Sequence, residues 1–256
     1  QVSHYDRNEV VKLFQELEFI KLHPRLPNET REGTSPEREG TSPSPTKGIH
    51  QMVGTGEGLE RLIAELELSQ DFAIEVVGGG LSAELVGIAM SPAKGRAFYV
   101  PLRLLRSPRN DIFGDNETSE QLPPTQVIVR LKPLLENANI GKIAHNGKYV
   151  MEALASCGVE LENLNFDTMI AAYLLGEKNL TLKALAFNRL GMEIASLDEL
   201  TGSGKKQSPG MLETKQLADY ACANADVIWS LRDSLQEELR QQGLWQLFTE
   251  VEMPLV

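Results

Sequence analysis

The chain has 256 residues, with 25 Lys and Arg against 36 Asp and Glu, for a formal net charge of −11. At 41% apolar and 24% charged residues it has the composition of an ordinary globular protein, which excludes wholesale disorder, collagen-like repeats and a disulfide scaffold. No run approaches the ~18 apolar residues of a membrane span, QVSHYDRNEVV does not read as a signal peptide, and the acidic balance argues against binding nucleic acid by bulk attraction.

Residues 6–20 place Val10, Val11, Phe14, Leu17 and Phe19 at helical intervals, a short amphipathic helix that needs a surface to lie on. Residues 23–50 change character: fifteen of these 28 positions are Pro, Gly, Ser or Thr, and REGTSPE at 31–37 is followed by REGTSPS at 38–44. Such a stretch cannot bury enough apolar area to offset its ordering entropy and reads as a flexible linker. The folded unit is expected from Gln51. A helix carries Leu59, Leu62, Ile63 and Leu66, with Thr55 or Gly56 before it as cap. Strands follow at 71–77, 84–90 and 97–102, joined by short turns into an antiparallel meander. Beyond residue 125 helices and strands alternate: VIVRLKPLLEN, IGKIAHN, YVMEALASCG, DTMIAAYLLG with Asp167 as N-cap and Gly176 as stop, then TLKALAFNRLG. A loop holding GSGKK precedes a long helix over about 212–241, with Leu217, Tyr220, Asn224, Val227, Leu231 and Leu235 along one face. This order reads as an α/β layered domain.

Most candidate sites are weak. VVGGGLSAE lacks the GxGxxG spacing and leads into a strand, so it reads as a hairpin. The four histidines are scattered, and His145, just past a strand, reads as structural. Cys157 and Cys222 lack metal spacing and read as reduced, buried thiols of a cytoplasmic protein. Lys205 and Lys206 are a solvated pair by default, though a basic loop beside a helix could meet a nucleic-acid backbone.

Three segments are more specific together. Glu75 and Val77 lie on one face of the strand FAIEVV; HNGKYV follows the fourth strand; Tyr220 and Asn224 stand at i and i+4 in YACANADV. In this order they resemble the three exonuclease motifs of the proofreading domain in family A bacterial DNA polymerases. The resemblance implies a ribonuclease-H-like fold over residues 51–245: a mixed sheet of three antiparallel and then parallel strands, flanked by helices. It also implies that residues 1–22 end a 5′-nuclease domain, 23–50 are the linker, and 246–256 open a polymerase domain.

The family chemistry is phosphodiester hydrolysis by two divalent ions held by four carboxylates. At the matching positions this chain has Glu75, Val77, Val150 and Asn224, so one carboxylate remains, and it is Glu where Asp is expected. Only the tyrosine, Tyr220, is intact. No catalytic residue, metal ligand or cofactor is therefore expected in this segment; Mg²⁺ is implied only for the polymerase and 5′-nuclease domains of a longer parent. Asp226 is about 200° round the helix from Asn224 and is expected to point away. Glu84 and Asp167 are no better as substitutes. Asn146, Lys148, Lys205 and Lys206 are the candidate nucleic-acid contacts. The implied role is an inactive scaffold of a replication and repair polymerase: a monomer partnered by the polymerase domain of its own chain, meeting DNA through the parent, with no membrane contact. The alternatives are a weak exonuclease holding a single metal through Glu75, and an interaction module using Tyr220 and Asn224.

Overall fold

The computed structural model describes residues 49–78, 85–103, 122–202 and 208–256. The expectations for residues 1–48, for the 79–84 turn with Glu84, and for Lys205 and Lys206 lie outside them. The first described element is β1 (Ile49–Met52). Helix α1 (Gly56–Leu68) follows, its N-cap Thr55 accepting from the Gly58 amide, and buries Leu59, Leu62 and Leu66. The meander forms as expected from β2 (Asp71–Gly78), β3 (Leu85–Ala93) and β4 (Arg96–Pro101). Then come α2 (Pro124–Leu135), β5 (Gly141–Ala144), α3 (Gly147–Ala155) and a short strand β6 (Leu164–Asp167).

Helix α4 (Thr168–Leu174) is capped by Asp167, as its sequence indicated. Helix α5 (Leu182–Leu190) ends on Gly191 in the left-handed region, at φ 65°. A short α6 (Leu197–Thr201) precedes α7 (Thr214–Gln241), the 28-residue helix that spans the sheet.

The sheet has six strands in the order β1-β4-β3-β2-β5-β6. The β2–β3 and β3–β4 pairs are antiparallel; β2–β5, β5–β6 and β1–β4 are parallel. This is the mixed sheet the motifs implied, with a parallel strand added at the far edge. Because side chains alternate along a strand, β2 divides the core. Phe72, Ile74 and Val76 join α1, α2 and α3 in one apolar cluster. Ala73 and Val77 face the other way, into two clusters that both include α7: Ala73 with α4, α5 and the distal half of α7, Val77 with the proximal half. Residues after 245, expected to open another domain, contribute here too, since Phe248 is fully buried and its ring centroid lies 4.9 Å from that of Phe166. Among the described residues no helix is long and apolar enough to cross a membrane.

Candidate active-site remnant

On the face of β2 shared by Ala73 and Val77, Glu75 occupies the one position between them, and so lies beneath α7 in the seam between two apolar clusters. Small residues on α7, Ala221 and Ala225, are completely buried against the sheet and let the helix approach it closely. At the seam the Asn224 side-chain amide donates to Glu75 Oε1 at 3.1 Å. Asn224 is itself buried, and its Oδ1 has no hydrogen-bond partner among the described residues. Burial pushes the Glu75 carboxyl from 4.5 up to about 7, against the opposing pull of the Asn224 bond.

Two tyrosines border this pair. Burial raises the Tyr220 phenol well above its usual range, and the Glu75 charge adds to the effect. Burial and then the Glu75 charge likewise raise Tyr149. Tyr149 donates its hydroxyl to the Gly78 carbonyl at 2.9 Å, where β2 breaks register against β3. The motif positions thus bring together Glu75, Asn224 and Tyr220, with Tyr149 as an addition. The sequence signal for Tyr149 was its place in NGKY, one residue before Val150.

The two valines fall in different apolar clusters. Val77 packs with Val86, Tyr99 and the α7 residues Leu217 and Ala221. Val150 sits in the other large cluster, with Ile74, Val76, Leu59 and Leu154, across the sheet from α7. Both are 1% exposed. Asp226 turns away from Asn224, as expected, and accepts from the Gly95 amide at 2.6 Å.

Of the candidate nucleic-acid contacts, Asn146 takes a left-handed backbone, φ 61°, at the start of α3. Lys148 is exposed and lines an open cleft of about 430 Å³ with Met151, Glu152, Glu160 and Glu162. It is therefore not part of the Glu75 cluster. His145 Nδ1 is 2.9 Å from Thr168 Oγ1, and burial lowers its pKa. Both cysteines are free, with Cys222 buried and Cys157 only partly so. Among the described residues no three His, Cys, Asp or Glu side chains gather in a way that could hold a metal ion.

Comparison with known proteins places this geometry. The family described as 3′-5′ exonuclease matches residues 50–240. DNA polymerase I of Chloroflexus aurantiacus is 30% identical over 100% of this chain, which spans 29% of that relative. DNA polymerase I of Pseudomonas aeruginosa is 27% identical over 98% of this chain and 27% of its own length. Among solved structures, the POL domain of Pol1 from M. smegmatis, in complex with primer-template and dNTP, aligns with a TM-score of 0.59 and 24% identity, over 80% of this chain and 30% of that one. The catalytic core of RRP6 from Trypanosoma brucei aligns with a TM-score of 0.60 and 15% identity, over 84% and 53%. These likenesses share the fold. On the match over residues 50–240 and the polymerase relatives that cover the whole chain, the chain belongs to the 3′-5′ exonuclease domain family of DNA polymerase I.

Proposed function

We propose that this domain is an exonuclease domain without nuclease activity, which serves as a scaffold for a polymerase domain in the same polypeptide during DNA replication and repair. The observation that carries the reading is the hydrogen bond from Asn224 to Glu75. In the family these positions hold two of the carboxylates that bind metal. Here one of them is an amide that donates to the other, which occupies an oxygen a cation would need and leaves a neutral Oδ1 as the second donor.

The other two positions support the same reading. A carboxylate at Val77 or Val150 would stand in an apolar cluster at a cost of several kcal/mol without a cation, whereas valine packs. The donor set of one partly buried Glu and one Asn does not fit a pair of divalent ions, so no hydrolytic step is derived through them. Mg²⁺ belongs, in this reading, to the polymerase and 5′-nuclease activities of a longer parent, and DNA reaches the domain through that parent.

The test is incubation of the purified protein with single-stranded, 3′-labelled DNA and Mg²⁺ or Mn²⁺. The expected result is no shortening above the protein-free control. Shortening that survives further purification and is lost in Glu75→Ala would contradict the proposal and favour a weak, single-metal exonuclease instead.

A further inference from the structure

The segment after α3 forms a fixed wall. Gly158, at φ 77°, follows the helix, and residues 159–162 then run past the end of α2. There the Glu160 amide donates to Glu136 Oε1 at 2.9 Å, and the Glu162 amide to the Leu135 carbonyl at 3.1 Å. Side chains alternate along the segment: Val159 and Leu161 are buried, Glu160 and Glu162 exposed. Helix α3 lines the same open cleft of about 430 Å³ with Met151, Glu152 and Lys148, and Val256 lines it from the end of the chain's last helical turns. Met151 packs on the cluster that holds Val159 and Leu161, so the cleft has an apolar floor. Its rim carries three glutamates against one lysine.

The rim charges lack partners. Among the described residues the carboxylates of Glu152 and Glu160 join no hydrogen bond or ion pair, whereas Glu57, Glu65 and Glu199 elsewhere are each paired with Arg or Lys. The charge of Lys142 reaches Glu162, but that ammonium is buried and donates to the Asn137 carbonyl at 2.6 Å.

An apolar stripe leads to the cleft. Over residues 245–255 Phe248 is buried, while Leu247, Val251 and Leu255, four positions apart, are 39%, 47% and 77% exposed. Leu255 adjoins Val256, so the stripe ends at the cleft.

An acid-rimmed apolar cleft, continuous with an exposed apolar stripe, suits a segment with leucine-type side chains flanked by Arg or Lys. One cleft and three side chains are little beside the about 1,200 Å² of a stable complex, so a separate partner would be held weakly. A segment tethered in the same polypeptide meets them at an effective concentration on the order of millimolar, and is held. We propose that this surface seats a basic, leucine-bearing segment of the polymerase domain. The inference rests on the scaffold reading above and names the contact by which the scaffold supports its neighbour.

Methyl NMR of the methionines tests it, on the 256-residue chain and on the polypeptide extended through its polymerase domain. Met151 reports the cleft; Met52 on β1 and Met211 ahead of α7, 45% and 74% exposed, report other faces. A soluble gadolinium chelate should broaden all three methyls in the shorter chain. In the longer polypeptide the Met151 methyl should be shielded about fivefold, as in a packed interface. Glu152→Lys combined with Glu160→Lys should restore its broadening, with Glu162→Lys as a second rim variant should the first fold poorly. Shielding of Met52 or Met211 with Met151 unchanged would overturn this surface and leave the scaffold reading standing. No shielding at any of the three would overturn both. Shielding of Met151 that persists after charge reversal would overturn the basic partner. Shielding in the shorter chain that grows with protein concentration would mark a second copy as the occupant and overturn the proposal too.

Discussion

Asp167→Ala is expected to lower the stability of the domain by about 4 kcal/mol in urea unfolding. The Asp167 carboxylate is 1% exposed. Its Oδ1 accepts from the amides of Met169 at 2.8 Å and Ile170 at 3.3 Å, capping α4. The same oxygen accepts from Asn146 at 3.2 Å, and Oδ2 from Gly147 at 2.5 Å, so the group also caps α3. One side chain thus starts both helices that leave the ends of β5 and β6. Removing a cap costs about 1 kcal/mol per helix, and each buried amide left without a partner costs about 1–3 kcal/mol more. Asp167→Asn retains Oδ1 and should lose about half as much, because an NH₂ then faces the Gly147 amide. Equal stabilities of Asp167→Ala and wild type would refute the double cap. The role matters for the remnant site because α3 carries Tyr149, which closes over the end of β2.

Glu75→Gln is expected to stabilise the protein, and to do so in a pH-dependent way. The carboxyl is raised to about 7 in the folded state, above its ordinary 4.5. Below pH 4.5 it is protonated in both states and contributes no penalty. As the pH rises from 4.5 to 7 the unfolded chain releases its proton while the folded state retains it, so stability falls across this window. Above pH 7 the folded state carries a desolvated charge, and the whole penalty of about 3 kcal/mol is present. Glutamine keeps an oxygen to accept from Asn224 and removes the charge. Urea unfolding should therefore show a gain approaching about 3 kcal/mol at pH 8 and under about 1 kcal/mol at pH 5. A gain of the same size at both pH values, or a loss at pH 8, would contradict the partly buried, metal-free placement of Glu75.

Local patterns made much of this fold legible. The meander follows from short apolar runs at 71–77 and 97–102 bounded by turn residues, and α7 from a repeat that survives contact with the sheet, since Leu217, Val227, Leu231 and Leu235 are all buried. The Asp167 cap was readable because an N-cap is a local hydrogen bond. Two short strands were not. In β1 only His50 is better than exposed, and in β6 only Phe166 and Asp167 are buried, so neither has an alternating apolar face. Both exist because a neighbouring strand offers backbone partners, a contact remote in sequence.

The site divides in the same way. Glu75 and Val77 were correctly placed on one face of β2, and Asp226 was correctly turned from Asn224, because both follow from element geometry alone. Which way Val150 faces depends on how α3 packs, and it joins Ile74 and Leu154 across the sheet from α7. The Asn224–Glu75 bond joins residues 149 positions apart and has no local signature.

Whether the remaining donors can hold the ions the family chemistry requires is tested most directly by calorimetric titration with Mn²⁺. Wild-type protein should give only weak, non-saturating heats, identical to those of Glu75→Ala. A saturable heat of defined stoichiometry in the wild type that disappears in Glu75→Ala would contradict the account.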